Sequence, residues 1–325
     1  MRDYGSRITD KAVAKSLRKI QRVYAQAEKE LNQKLLAFRI RFAMKQKQMS
    51  ADLASGKISK AAYESWMRGQ VFTGKRWQKK VDQAVNIFGW ANKQAHKIIN
   101  KIKLWVFSEN YNKYAYDTEI QTGISFDLYN EDAVEKLLTE NPRMLPEYNI
   151  DEEKDYIWNR QKVENSITQG IIQGESVDQI AARLAKDLQT NNMNKMRMFA
   201  RTAMTGAQNA GRQKQMEDAR ARGIDIRKQW IATLDDRTRD THQHLDGDIV
   251  DVDATFANGL RYPGDPYGAP KEVYNCRCTM KSVFKGINGT GQRRAYRYNE
   301  KGYRESYLVK NMTYDEWKKW KEGQK

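Results

Sequence analysis

The chain has few of the residues that most often carry chemistry. Its 325 residues include two cysteines and three histidines. The cysteines, Cys276 and Cys278, are one residue apart, and neighbours this close strain the backbone when they form a disulfide with each other. We therefore expect reduced thiols, as in proteins of the cytoplasm.

Long apolar stretches and a leader sequence are also missing. The sequence contains no run of apolar residues as long as the roughly 18 that are needed to cross a bilayer. At the N-terminus, no charged segment is followed by an apolar one. The sequence therefore predicts neither a membrane span nor a secretion signal.

Acidic residues are too few to balance the basic ones, and the net charge at pH 7 is +17. The excess lies at the two ends: residues 1–115 carry 25 Lys and Arg against 8 Asp and Glu, and residues 281–325 carry 12 against 5. Residues 116–160 are acidic, with 4 against 12, and residues 161–280 are balanced. Basic ends favour contact with a polyanion, most often nucleic acid. The alternative is a solvated surface that only maintains solubility.

The N-terminal residues follow the periodicity of long helices. Apolar residues recur in steps of three or four from Val13 to Phe42, a period of about 3.6. A second such pattern covers about 77–112 and includes His96, for which we expect a structural role. Together these patterns predict a basic helical arm over residues 1–115, in the form of a helical hairpin.

The middle of the chain begins with an acidic connector, predicted at 116–154, that contains Pro142 and Pro146. Apolar periodicity then resumes, and Ser176 and Gln179 have the spacing of a capping box. We expect helices at about 156–173, from Ser176 to about Leu188, and from about Met193 to Arg222.

The periodicity changes after Gly223. Residues 226–234 and 276–284 read as strands, and residues 248–262 read as hairpin material. Asp235 or Asp236 is expected to cap a short helix through His242. The sequence thus predicts an α+β fold, in which a long helical N-terminal arm and a helical middle precede a small α+β domain with a short antiparallel sheet.

The small domain is predicted to end at residue 285, within a domain spanning 155–285. Residues 286–325 form a basic tail in this interpretation. Its first part is rich in Gly and Tyr, as in an exposed linker. A capping box at Thr313–Glu316 predicts a short C-terminal helix.

Metal-binding residue types are concentrated in one segment. His242, His244, Cys276 and Cys278 supply two nitrogens and two sulfurs, a set that suits tetrahedral zinc. Residues i and i+2 of a helix point about 200° apart, so the two histidines cannot both face one ion. The pattern therefore favours zinc at His242, both cysteines and Asp246. Alternatively, the cysteines are small buried hydrophobes and His242 bonds a carboxylate.

The same segment contains groups that could act in catalysis. A cysteine and His242 could serve as nucleophile and base. Arg237 and Arg239, together with Asp235 and His242, could act on a phosphodiester or a nucleotide. An enzyme that acts on nucleic acid or nucleotides is therefore one alternative function, and a zinc-stabilised DNA-binding module is another.

Residues of about 195–285 resemble a known domain. The pattern W-x-x-x-x-D-x-R-T-R-x-x-H-x-x-L-D-G, followed by Y-P-G-D-P and N-C-R-C, is similar to the head morphogenesis domain of phage minor head proteins related to protein F of phage Mu. His244 is not part of that pattern. The matching positions are Trp230, Asp235, Arg237, Arg239, His242, Leu245, Gly247, Pro263, Asn275, Cys276 and Cys278.

The resemblance implies a minor virion component rather than an enzyme. Such a protein is associated with the portal vertex and the head interior, after assembly in the host cytoplasm. The implied partners are the portal protein, the major capsid or scaffold protein, and double-stranded DNA. Basic ends would contact packaged DNA without reading its sequence. The candidate DNA contacts are Lys11, Lys15, Arg18, Lys19, Arg22, Arg293, Arg294 and Arg297.

Overall fold

The fold is a set of long helices with a small antiparallel sheet, which confirms the predicted α+β class. The computed structural model describes residues 4–72, 75–173, 175, 177–233, 237–285, 292–298, 304–310, 319–320 and 322–323. The chain divides into two compact units. Unit 1 comprises residues 1–16, 99–148 and 198–325, and unit 2 comprises residues 17–98 and 149–197. The predicted division into arm, connector, domain and tail stays a prediction.

Eight α-helices are found in the described part of the chain. Among the described helices, none combines the length and the apolar character of a membrane span. The helices are α1 (Tyr4–Ala54), α2 (Lys60–Phe72), α3 (Lys75–Thr122), α4 (Glu131–Glu140), α5 (Glu152–Ile172), α6 (Val177–Ala221), α7 (Asp240–His244) and α8 (Pro270–Val273).

Two of the helices differ from their predicted bounds. Helix α3 continues to Thr122, into the predicted connector, and ends where Gly123 adopts a φ of 70°. Helix α6 is continuous, so the prediction of separate helices ending near Leu188 and starting near Met193 is wrong. The polar residue Asn192 does not break the helix, because its amide is buried and donates to Leu188 O at 2.9 Å.

Unit 2 contains a buried network of amide and carboxylate side chains, which we call the amide network. Asn92 on α3 donates to Asp155 on α5 at 2.9 Å and to Asn192 on α6 at 2.8 Å. Asn192 in turn donates to Asn159 Oδ1 at 3.0 Å. The members are Tyr24, Asn92, Asp155, Asn159, Asn192 and Lys195. Helices α1, α3, α5 and α6 each supply at least one of these side chains, so the network specifies how they pack.

The three-stranded sheet lies in unit 1, in the order β2-β1-β3, with all pairs antiparallel. Strand β1 (Ile226–Ile231) is central, β2 (Ile249–Asp251) is one edge and β3 (Thr279–Phe284) is the other. Along β1 the side chains alternate, and Ile226, Lys228 and Trp230 are the buried ones. This face packs into the core of the small domain.

Three predictions about this region are wrong in detail. The strand expected from Cys276 begins at Thr279, because Asn275 N–H and Cys276 O bond to Thr202 and Thr205 of α6 instead of to a strand. Within the expected hairpin at 248–262, only β2 is extended, and it pairs with β1. Helix α7 begins after Arg239, later than predicted, and the predicted capping residues Asp235 and Asp236 lie outside the described residues.

The predicted linker after Gly286 is also wrong over part of its length. Strands β4 (Gln292–Tyr298) and β5 (Arg304–Lys310) form an antiparallel pair. The aromatic residues that suggested a linker are enriched in strands. The capping box predicted at Thr313–Glu316 lies outside the described residues.

Candidate functional site

The small domain brings one histidine and both cysteines together in its core. His242 Nδ1 lies 3.5 Å from Cys278 Sγ and 3.7 Å from Cys276 Sγ. All three side chains are at most 2% exposed. We call these three residues the histidine–thiol cluster. Three of the four residues predicted to bind zinc are therefore neighbours in space.

The fourth predicted ligand, Asp246, has a different role. Its carboxylate accepts the backbone N–H of Ala232 at 2.8 Å, just beyond the end of β1. Among the described residues, the cluster of potential ligands contains His242, Cys276 and Cys278 alone. Asp246 therefore connects the turn after α7 to β1, and the set of ligands predicted with it is wrong at this position.

His242 is held by a carboxylate that no pattern in the sequence indicates. Its Nε2 lies 3.0 Å from Glu272 Oε2, which also accepts the Thr241 hydroxyl at 3.0 Å. Glu272 lies on α8, 30 residues further along the chain, so no local spacing relates it to His242. With Glu272 accepting the Nε2 proton, the Nδ1 lone pair faces the two sulfurs.

The cysteines reach the cluster through a turn that packs on α6. Asn275 has a φ of 58°, a left-handed conformation that asparagine tolerates better than most residues. Its backbone N–H donates to Thr202 Oγ1 at 3.0 Å, and Thr205 Oγ1 donates to Cys276 O at 2.9 Å. These bonds replace strand pairing before β3 and fix the direction of both thiols.

The two thiols have opposite electrostatic environments. A hydrogen bond with Cys276 is the main cause that lowers the pKa of Cys278 below its usual range, and a bond from the Thr233 backbone adds to it. The same thiol–thiol bond, together with burial, raises the pKa of Cys276. The pair therefore favours a thiolate at Cys278, which is the form that binds metals or acts as a nucleophile.

The arrangement of Cys278, His242 and Glu272 has the order of a catalytic triad, with nucleophile, base and orienting carboxylate. The cluster is nevertheless enclosed. The Trp230 ring packs edge-on against His242 with centroids 5.1 Å apart, and the Phe256 ring packs edge-on against Trp230 with centroids 5.0 Å apart. A substrate cannot reach sulfurs that are 2% exposed, so the geometry favours structure or metal binding over turnover.

The residues of the enzymatic alternative have separate roles. Arg237 is exposed, and the Arg239 guanidinium donates to the backbone carbonyl of Tyr274. His242 is in the enclosed cluster. Asp235 lies outside the described residues. In the part of the chain that the structure describes, these side chains do not form an open catalytic site.

The remaining motif positions contribute to the fold of the small domain. Leu245 is buried in the same core as Trp230, and Gly247, with a φ of 91°, ends the turn after α7 and donates to Trp230 O at 3.0 Å. Pro263 O accepts the Asn209 amide from α6 at 2.9 Å. The next residue of the turn is Gly264, and its carbonyl oxygen would lie 2.9 Å from a Cβ atom added to Gly206. The backbone of α6 therefore contacts the backbone of the turn directly.

Several buried polar residues in unit 1 were not predicted as functional. Arg212 on α6 is fully buried and donates to Met280 O at 2.8 Å and to Asn110 Oδ1 at 3.2 Å. Lys228 on β1 is also fully buried and donates to Val252 O at 2.8 Å. A basic residue inside an apolar pattern was the only sequence signal for either, and it does not distinguish a buried cation from an exposed one.

The predicted DNA contacts fall into two groups. Lys11, Lys15, Arg18, Lys19 and Arg22 are all exposed on α1. For Arg293, Arg294 and Arg297, the structure describes only the backbone, which forms β4. The first group can therefore be related to a surface.

Comparison with known proteins matches the region that contains the cluster to a protein family. The family described as Phage Mu protein F like protein matches residues 161–281. Minor head protein GP7 of Bacillus phage SPP1 is 32% identical over 260 residues, which are 76% of this chain and 80% of that protein. No solved structure matches.

Two further relatives share shorter segments. The NAD(+)–arginine ADP-ribosyltransferase EFV of Enterococcus faecalis is 39% identical over 134 residues, which are 39% of this chain and 26% of that protein. An uncharacterized protein of Haemophilus influenzae is 28% identical over 195 residues, or 58% of this chain and 39% of that protein. This chain therefore spans only about a quarter of the transferase.

Proposed function

Because the chain belongs to the family of phage minor head proteins, we propose that it acts in head morphogenesis as a minor component of the virion. The observation that carries this proposal is the 32% identity to GP7 over 80% of that protein's length. We propose the head interior and the portal vertex as its location, after assembly in the host cytoplasm. Mass spectrometry of purified mature particles tests this location, and particles without the protein would contradict it.

The role we propose is not enzymatic. The best arrangement of catalytic residue types, Cys278, His242 and Glu272, is enclosed by Trp230 and the core of the small domain. The relative named as a transferase shares only 26% of its length with this chain. Its transferase activity is therefore not assigned to this chain. Incubation of the purified chain with NAD⁺ and arginine-containing protein is the direct check, and ADP-ribose transfer would overturn the proposal.

We propose that helix α1 contacts packaged double-stranded DNA. Its five candidate cations are spaced by three, four or one residues, which places them within an arc of about 100° on an ideal helix. The buried residues Ile20, Tyr24 and Ala27 lie on the opposite side of the same helix. An exposed basic face over a buried apolar one suits contact with phosphates and requires no base recognition.

Salt dependence tests the DNA contact quantitatively. Each phosphate contact contributes about 0.9 to the slope of log K against log salt concentration. Replacing Lys11, Lys15, Arg18 and Arg22 by Gln is therefore expected to flatten the slope of the full chain by about 3–4. The measurement is fluorescence anisotropy with random-sequence duplex DNA over a range of salt concentrations.

The control for that experiment removes the same charge elsewhere. Four exposed lysines outside α1 are replaced by Gln in the matched variant, namely Lys97, Lys101, Lys136 and Lys271. We expect its slope to stay close to that of the wild type. Equal flattening in both variants would mean that only net charge matters and that α1 is not the contact surface.

We propose the portal protein as the principal protein partner, on the resemblance to minor head proteins of the portal vertex. The full chain is immobilised and exposed at low salt to the portal protein and, separately, to the major capsid protein of the same phage. Retention of the portal protein is the expected result. Retention of the capsid protein alone, or of neither, would contradict the assignment.

A further inference from the structure

We propose that the histidine–thiol cluster binds a zinc ion through His242 Nδ1, Cys276 Sγ and Cys278 Sγ. In tetrahedral sites, zinc lies about 2.3 Å from sulfur and about 2.0–2.1 Å from nitrogen. Two such ligands at a tetrahedral angle are separated by about 3.6 Å. The observed separations from Nδ1 are 3.5 and 3.7 Å, and all three atoms lie within 4.8 Å of one another, so both separations from Nδ1 match those between two ligands of one zinc ion.

The contact of His242 Nε2 with Glu272 is of the kind that metal-binding histidines commonly make. The nitrogen of a ligand histidine that does not bind the metal commonly donates to a carboxylate, which fixes the tautomer and the direction of the ring. Here Glu272 accepts from Nε2 at 3.0 Å, and Thr241 bonds to the same carboxylate oxygen. Glu272 is therefore a positioning residue for the site.

Hydrogen bonding within the cluster leaves ligand capacity unused. If both thiols kept their protons, two S–H donors would compete for one imidazole lone pair. Zinc binding removes this competition, because each sulfur then binds the ion as a thiolate and the imidazole lone pair binds the same ion.

The donor set and its surroundings select the metal class. Two sulfurs and one imidazole nitrogen are ligands that favour zinc over the oxygen-preferring Mg²⁺ and Ca²⁺. Zinc with three protein ligands completes its tetrahedron with a water molecule, and among the described residues Asp246 instead bonds to Ala232. The inference concerns the folding of the small domain and does not depend on the proposed role in the phage head.

Metal analysis of the purified full chain is the first test. After expression with supplemental zinc, we expect one zinc per chain by plasma mass spectrometry. Exchange with Co²⁺ is expected to give thiolate-to-cobalt charge-transfer absorption together with the intense visible bands of tetrahedral Co²⁺. A folded chain with less than a tenth of a zinc and without these bands would overturn the proposal.

Variants locate the ion and separate binding from folding. Cys276→Ser and Cys278→Ser are each expected to reduce zinc content at least tenfold, whereas His244→Ala, which changes the exposed histidine of the same helix, is expected to keep it. Glu272→Gln leaves all three ligands in place and should weaken zinc affinity about 10–100-fold, as read by competition with a chromophoric chelator. Unchanged zinc content in both Ser variants, or equal affinity in Glu272→Gln and the wild type, would overturn the site. If a Ser variant does not fold, the Co²⁺ spectrum of the wild type still shows whether thiolates bind the metal, because the charge-transfer bands require sulfur ligands.

Discussion

The two units each contain a buried polar cluster, and the clusters differ in how completely their groups are paired. In the amide network of unit 2, Asn92, Asn159 and Asn192 each donate to a neighbour, and the Asp155 carboxylate accepts from Asn92, Asn159 and Lys195. In the histidine–thiol cluster of unit 1, one imidazole nitrogen faces two sulfurs. The first cluster is complete without any other atom, whereas the second brings one nitrogen and two sulfurs within 4.8 Å of one another, as the ligands of one metal ion would be.

The comparison separates two reasons for placing polar residues in a core. A fully paired network specifies which helices pack together, and its cost of burial is offset only while every partner is present. A cluster of soft ligands with spare lone pairs gains little until an ion arrives. The burial of a polar cluster therefore does not by itself indicate function. The number of its hydrogen-bonding groups that remain available to a ligand does.

The largest expected effect comes from breaking the amide network. Asn92→Ala leaves the Asp155 carboxylate with fewer partners and removes the acceptor of the Tyr24 hydroxyl. Because a buried charge is then incompletely paired, we expect the free energy of unfolding to fall by about 3–5 kcal/mol. Urea unfolding measures the change, and Asn86→Ala, at an exposed position of the same helix, serves as the control. A loss below about 1 kcal/mol would show that the network contributes little.

A second prediction uses pH to examine a buried cation outside both clusters. Burial is the main cause that lowers the pKa of Lys228 to about 8, whereas in the unfolded chain lysine keeps its usual value near 10.4. Between these values the unfolded state binds more protons, so this residue makes stability rise with pH from about 8 to about 10.4. The rise attributable to Lys228 is at most about 3 kcal/mol.

Lys228→Met isolates that contribution. The variant loses donors to Val252 O and Arg261 O, a cost that does not depend on pH. Burial also raises the pKa of Tyr262, and such tyrosines lower stability above about pH 10 in both proteins. The difference in unfolding free energy between wild type and variant is therefore expected to grow from pH 8 to 10. Parallel pH profiles would contradict the prediction.

The smallest expected effect concerns the histidine–thiol cluster without metal. With chelator present throughout, Cys276→Ala removes only one sulfur atom that behaves as a small hydrophobe. We expect a loss of about 1 kcal/mol, well below the loss for Asn92→Ala. Chemical unfolding of both variants in the same buffer makes the comparison direct. A larger loss at Cys276 than at Asn92 would reverse the distinction between the two clusters.

The sequence predicted the members of one cluster and not those of the other. Cys276, Cys278 and His242 were identified because their residue types are rare in this chain and are close in sequence. Asn92, Asp155 and Asn192 were not, because asparagine and aspartate are common and these three lie on separate helices up to 100 residues apart. Apolar periodicity located those helices, but it does not show which polar residue faces inward.

The same limits explain the other differences. The fold class followed from the change of periodicity near Gly223, and that change is a strong signal. The continuity of α6 through Asn192 did not follow from the sequence, since local polar residues suggested an end, whereas the buried Asn192 amide bonds to Leu188 O within the helix and to Asn159 on α5. Glu272 was missed because its relation to His242 exists only after α8 has formed and packed against α7.

The close approach of Gly206 and Gly264 has a consequence for variation in this chain. A methyl group at Gly206 would act as a wedge, because its carbon would lie 2.9 Å from a carbonyl oxygen of the turn. Gly264 is doubly restricted, since its φ of 80° disfavours any side chain as well. The absence of a side chain at both glycines thus sets the distance between the helix and the turn. We expect substitution at either position to be excluded even in relatives that lack both cysteines.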